Sequence, residues 1–152
     1  MVSLCIEKNV TFGTAESCTG GLISASVTNI SGASAAFFGG IVSYDNSVKA
    51  GVLGVQEETL SVYGPVSEET AREMSCGACR VLGVDFAVSV TGYAGPAGGG
   101  TEDKPVGLVY ISVSSDKKTL VTKNLFSGDR EAVRLQAVSK ALALLTAEIH
   151  SI

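Results

Sequence analysis

Histidine is nearly missing from this chain: the only one among 152 residues is His150, two places from the end. A Ser-His-Asp or Cys-His mechanism would need the last turn of the chain to fold back into the site. A histidine-rich metal site is impossible. A general base must therefore be sought among Lys, Tyr, Asp and Glu. Cysteine is scarce as well. Cys5, Cys18, Cys76 and Cys79 are too few and too unevenly spread for a disulfide scaffold. No apolar run reaches membrane-spanning length, and Met1 to Lys8 lacks the basic and long apolar regions of a signal peptide. The expectation is a soluble, cytoplasmic protein with no membrane partner.

Charge is sparse too. Only 17% of residues are charged and the formal net charge is -4. No basic excess exists to hold nucleic acid or an anionic membrane as the main partner. A locally positive pocket for a small phosphorylated ligand remains compatible with that balance. No predicted strand runs into Gly-x-Gly-x-x-Gly opening a helix, so a Rossmann reading fails, and the Walker A pattern is absent. Repeats, linkers and low-complexity tracts are absent as well.

What is present suits one domain over residues 1–152, with 45% hydrophobic residues to fill one core. Val10 to Ala15 reads as a buried strand, Gly20 to Ile30 as a packed helix and Phe37 to Tyr44 as a second strand. Asp45 or Asn46 can cap a short helix through Leu53, and another short helix spans Glu57 to Tyr63. Ser67, followed by Glu68 and Glu69, caps a long helix through Leu82. Phe86 to Val90 is apolar throughout except Ser89, as a central strand buried on both faces should be. Thr91 to Pro105 is a Gly/Pro-rich loop. Strands over Val106 to Val113 and Leu120 to Phe126 flank a hairpin tip at Asp116-Lys117-Lys118. Gly128-Asp129-Arg130 opens a final helix through about Ala147. This order predicts an α/β fold, a three-layer α/β/α sandwich with a mixed, partly parallel sheet.

Hydroxyls and glycines cluster at the strand ends: Ser17 and Thr19 after the first, Tyr44 and Lys49 after the second, Thr91 and Gly92 after the third. In such sheets the strand ends at one edge form the ligand crevice. Ser17 stands where a strand turns into a helix. It either reacts, making a hydrolase or transferase, or caps the helix, making a binding module. If it reacts, it needs a base, and Lys49 is the candidate because burial lowers a lysine pKa. Tyr44 can relay the proton or orient the lysine. The N–H groups of Cys18, Thr19 and Gly20 can hold an oxyanion. Cys18 is the better nucleophile in principle, but on a helix only one of two neighbouring residues faces the site. The alternative is a capping Ser17 and a solvated Lys49.

The loop after Thr91 offers N–H groups for an anion or is a plain surface loop. Arg130 can fork onto phosphate or carboxylate, pair with Asp129 or Glu131, or stand in solvent. Cys76 and Cys79 read as buried structural thiols inside a helix, with no second pair to make a zinc site.

Read together, six segments resemble one known family. They are Ala15-Glu16-Ser17-Cys18-Thr19-Gly20-Gly21, Val42 to Lys49, Gly64-Pro65-Val66-Ser67, Val90-Thr91-Gly92-Tyr93-Ala94-Gly95-Pro96, Lys104-Pro105-Val106-Gly107 and Gly128-Asp129-Arg130. Their order resembles that of the CinA C-terminal domain family, also known as nicotinamide-nucleotide amidohydrolases, over roughly Thr11 to Ala147. The resemblance implies hydrolysis of nicotinamide mononucleotide to nicotinic acid mononucleotide and ammonia, in pyridine-nucleotide salvage. It implies Ser17 as nucleophile, Tyr44 and Lys49 as catalytic partners, and Thr91 and Arg130 as site residues, with neither metal nor cofactor. Cys18, Thr19, Gly20 and Gly92 fall in the same segments and are expected to bind substrate. Members often carry an additional domain resembling molybdopterin-binding domains, and nothing attributed to that half is carried over. A non-catalytic nucleotide- or phosphate-sensing module is the alternative, and an interaction subunit a third. Helix faces on both sides of a sheet also lead to an expectation of homo-oligomers.

Overall fold

The computed structural model describes all 152 residues. Its elements run α1 (Val2–Lys8), β1 (Phe12–Glu16), α2 (Leu22–Thr28), a 3-10 turn (Ala33–Ala35), β2 (Phe37–Val42), α3 (Asn46–Gly51), α4 (Glu57–Val62), α5 (Glu68–Leu82), β3 (Phe86–Gly92), β4 (Leu108–Ser115), β5 (Thr119–Leu125) and α6 (Arg130–His150). The sheet order is β2-β1-β3-β4-β5. β1 pairs parallel with both β2 and β3, and β4 and β5 continue antiparallel. This is the three-layer α/β fold with a partly parallel sheet. Helices α1, α2 and α6 cover one face and α5 the other.

Two apolar clusters account for the layers. Phe12, Val88, Val90, Ile111 and Val113 meet Val133, Ala137, Ala141, Leu145 and Ile149 of α6 on one side. Those α6 positions recur at one-turn spacing, so one stripe of the helix is buried. On the other side Ala15 and Ala87 meet Leu53, Met74 and Ala78. A Cβ at Gly77 would overlap the Leu53 carbonyl oxygen, so glycine is required where α5 crosses that backbone. Burying these side chains stabilises the fold by roughly 25 cal/mol per Å² of apolar surface removed from water.

Several expectations shift. The N-terminal residues form α1, a short helix with no side-chain cap, held instead by burial of Val2 and Cys5. Helix α2 starts at Leu22, not Gly20, because Gly20 and Gly21 adopt φ of 60° and 100°. β3 continues to Gly92, so Thr91 and Gly92 are strand residues paired with Tyr110 and Val109. Cys76 is exposed and Cys79 half-buried, where both were expected inside.

β1 lies between β2 and β3, the two strands that follow it in sequence, so the chain reverses direction across the sheet at β1. A crevice opens outside the carboxyl ends of parallel strands at such a point. Glu16, Val42 and Val90 stand side by side there. The next residues of all three strands therefore share one edge.

Candidate active site

Ser17 is the first residue beyond β1, and its N–H donates to Val90 O at 2.9 Å. Its side chain does not cap α2, whose N-cap is Gly21. The donors at that helix start go instead to Glu16, fully buried at the end of β1. Its carboxylate accepts from the N–H groups of Gly21, Ile23 and Ser24 and from Ser24 Oγ at 2.8–3.1 Å. The positive helix end is thus matched to a buried acid. Replacing Glu16 with Ala leaves those donors unpaired, and we expect a loss of about 2–3 kcal/mol in unfolding free energy. Urea denaturation measures it, and Glu16→Gln should lose less because one acceptor oxygen remains.

Lys49 is 1% exposed, so it is not the solvated lysine of the alternative reading. Asp45 caps α3 by accepting from Ser47 N–H at 2.8 Å, and α3 carries Lys49 inward. Lys49 Nζ lies 3.1 Å from Ser17 Oγ, 2.9 Å from Ser43 O and 3.1 Å from Tyr44 O. No carboxylate pairs with it. Burial lowers its pKa from the usual lysine value, and the more distant Asp45 and Cys18 oppose that only in part. A neutral amine has two N–H groups, which match the two carbonyls, and one lone pair, which then faces Ser17.

The remaining expected residues fall around this pair in different ways. The Tyr44 carbonyl, not its hydroxyl, touches Lys49; the ring is 63% exposed and its hydroxyl lies 3.4 Å from Arg130 Nη2. The hydroxyl is not in contact with Ser17 or Lys49, which corrects the expected proton relay through the phenol. Thr91 donates its one hydroxyl proton to Pro65 O at 2.7 Å. It pins the Gly64-Pro65 turn and has no proton left for an oxyanion. At Gly92 a Cβ would sit 2.7 Å from Leu108 O, so close strand packing by itself requires glycine there. Gly20 N–H is occupied by Ser17 O at 3.1 Å, which removes it from the expected oxyanion donors. The N–H groups of Cys18 and Thr19 have no partner in the protein. The Cys18 thiol is buried and pushed up to about 11, which keeps it in the unreactive thiol form. Thr19 is fully buried, and its hydroxyl is one of two buried side-chain groups without a partner, with Ser43 Oγ.

Arg130 opens α6, whose N-cap is Asp129. Its Nη1 donates to Gly95 O at 2.7 Å, and it forms no ion pair with Asp129 or Glu131. Ser17, Lys49, Tyr44, Thr91, Tyr93 and Arg130 surround a pocket of about 210 Å³ with no acidic residue in its wall. A second hollow of about 420 Å³ shares Ala94 and Arg130 with it. The backbone N–H groups of Ala97, Gly98 and Gly99 in the adjoining loop are unpaired. The Arg130 guanidinium, free N–H groups and no carboxylate in its wall suit the pocket to an anionic ligand.

His150 closes α6, 20 residues beyond Arg130, and at 1.5 Å per residue it stands about 30 Å away. No group of three or more His, Cys, Asp or Glu residues is close enough to hold a metal ion. No helix is long and apolar enough to cross a membrane. Two site residues escaped the sequence reading. Glu16 sits directly before Ser17, and Arg134 lies four residues after Arg130. That spacing places both arginines on one helix face and was the available signal.

Residues 1–149 match the CinA C-terminal domain family. A "CinA-like protein" of Leptospira borgpetersenii is 51% identical over 143 residues, covering 93% of this chain and 34% of that protein. The chain thus spans about a third of the length of the curated relatives it matches. A crystal structure of a competence/damage inducible protein from Agrobacterium tumefaciens superposes with TM-score 0.93 at 40% identity, covering 96% of this chain and 89% of that one. A CinA superfamily protein from Klebsiella pneumoniae superposes with TM-score 0.93 at 36% identity, over 99% and 93% of the two chains.

Proposed function

The chain belongs to the CinA C-terminal domain family, and from that premise we propose that it hydrolyses the carboxamide of nicotinamide mononucleotide. The products are nicotinic acid mononucleotide and ammonia. The observation that carries the reading is the contact of Ser17 Oγ with a buried Lys49 that has no acid partner, at 3.1 Å. A buried structural lysine is normally paired with an acid, whereas a general base is favoured by the absence of one.

In this mechanism neutral Lys49 takes the proton of Ser17 as its oxygen attacks the carboxamide carbon. The C–O bond forms, and negative charge moves to the carbonyl oxygen, facing the N–H groups of Cys18 and Thr19. Lys49 returns the proton to the leaving nitrogen, the C–N bond breaks, and ammonia departs. Water then attacks the acyl-serine with Lys49 again as base, which frees the acid and restores Ser17. Arg130 and the N–H groups of Ala97 to Gly99 receive the 5'-phosphate, and the exposed Tyr44 ring offers a face for the pyridine.

The test is incubation of the purified protein with nicotinamide mononucleotide. One ammonia per nicotinic acid mononucleotide formed is the expected stoichiometry. Binding of the nucleotide without ammonia release would contradict the enzyme and favour the sensing module, for which Arg130 and the loop N–H groups suffice.

A further inference from the structure

The turn after β1 is gripped from outside its own segment. Arg134 donates Nε to Cys18 O and Nη2 to Thr19 O, each at 3.1 Å. It lines neither hollow of the site and pairs with no carboxylate. A half-buried cation thus uses its fork on two successive backbone carbonyls beside the nucleophile.

Peptide geometry gives this grip a consequence. A trans peptide is planar, so a carbonyl and the N–H that follows it point in opposite directions. Gly20 N–H holds the Ser17 carbonyl at 3.1 Å and so aims the Cys18 N–H the other way. Arg134 holds the Cys18 carbonyl and aims the Thr19 N–H the other way. These two N–H groups are the unpaired donors of the turn. A cation on the carbonyl oxygen also draws electron density along the peptide and strengthens its N–H as a donor.

We infer that Arg134 is a positioning residue: by holding and polarising the Cys18–Thr19 peptide it presents the Thr19 N–H to the oxyanion formed when Ser17 attacks. The inference rests on Ser17 as the nucleophile of the proposed function. It does not depend on which acyl compound is attacked.

Three variants test it: Arg134→Lys and Arg134→Met with two readouts, and Arg134→Ala by chemical rescue. The first is kcat and KM for nicotinamide mononucleotide. The second is sulfonylation of Ser17 by phenylmethanesulfonyl fluoride, followed by intact mass. In that reaction an S–O bond forms to Ser17, the S–F bond breaks, fluoride leaves, and Lys49 takes the serine proton. Negative charge gathers on a sulfonyl oxygen and needs the same donors. Loss of an oxyanion donor costs about 10²–10³ in rate, and mispositioning one is expected to cost about 10–100-fold in kcat and in sulfonylation. KM should stay within about threefold, since Arg134 does not touch the substrate. Millimolar guanidinium should restore part of the rate to Arg134→Ala, a response that a merely structural contact would not give. Should Arg134→Met fail to fold, Arg134→Lys with a wild-type circular dichroism spectrum carries the test.

Unchanged kcat and sulfonylation in a folded variant, or a rise in KM alone, overturns the assignment. Wild-type protein that is sulfonylated at Ser17 but releases no ammonia contradicts the substrate reading, and the sulfonylation rates still decide on Arg134. A wild type that is not sulfonylated at Ser17 at all overturns both.

Discussion

Ser17→Ala is expected to lower turnover of nicotinamide mononucleotide by about 10⁴-fold or more while leaving nucleotide affinity within a few-fold. In the proposed mechanism this hydroxyl bonds to the carboxamide carbon, so its loss removes a covalent step and not a binding contact. The neighbouring thiol cannot take over. Cys18 is buried and held at about 11, where almost no thiolate exists at neutral pH. Arg130 and the loop N–H groups proposed for the phosphate should stay in place, because the Ser17 hydroxyl is hydrogen-bonded only to Lys49. Steady-state ammonia release and calorimetric titration of the nucleotide measure the two halves separately. A variant that keeps a tenth of the wild-type rate would remove Ser17 from the mechanism.

Lys49→Met is the second large effect: kcat should fall about 10³-fold, within the range that general bases contribute. Its stability should move the other way. Burial depresses the folded-state pKa of Lys49 below the unfolded value near 10.5. Below the folded pKa both states are charged, and the native state carries the full penalty of a buried ammonium. As pH rises through the folded pKa the native state releases its proton first and the penalty fades; above about 10.5 it is gone. Wild-type stability therefore rises with pH relative to Lys49→Met, and the variant's advantage is largest on the acid side of that window. With the neutral amine as the proposed base, activity of the wild type is expected to rise through the same folded pKa. Urea midpoints of both proteins at several pH values, beside the pH–rate profile, test the two consequences of one titration. A stability difference that is flat with pH would contradict a depressed Lys49.

Much of this architecture is legible in the chain because it is local. The caps at Asp45, Ser67 and Asp129 accept from the N–H two or three residues on, as their sequence contexts imply. The buried run at β3 and the hairpin tip before β5 follow from the same short-range patterns. With a single histidine at the chain's end, the sequence alone leaves Lys49 as a candidate base. What escapes is set by contacts distant in sequence. Lys49 follows Asp45, Asn46, Ser47 and Val48, a mostly polar context that does not settle its burial; in the fold it is 1% exposed. Which atom of Tyr44 meets Lys49, and which carbonyl takes the Thr91 proton, depend on backbone direction past the strand ends. Glu16 looks like one more acid in the turn, and only the positive-φ glycines fold the start of α2 back onto its carboxylate. Helix α1 has no N-cap signal, and burial of Val2 and Cys5 in the core holds it.

Partitioning with hydroxylamine shows whether an acyl group passes through Ser17. Turnover of nicotinamide mononucleotide is followed at rising hydroxylamine concentration, with ammonia, acid and hydroxamate all quantified. An acyl-serine is open to either nucleophile: hydroxylamine attacks the ester carbon, the Ser17 oxygen leaves, and the hydroxamate forms at the expense of the acid. The expected result is that trade, with no hydroxamate from Ser17→Ala. Acid as the sole product at every hydroxylamine concentration, with ammonia release undiminished, would mean that water attacks the carboxamide directly and would contradict the account.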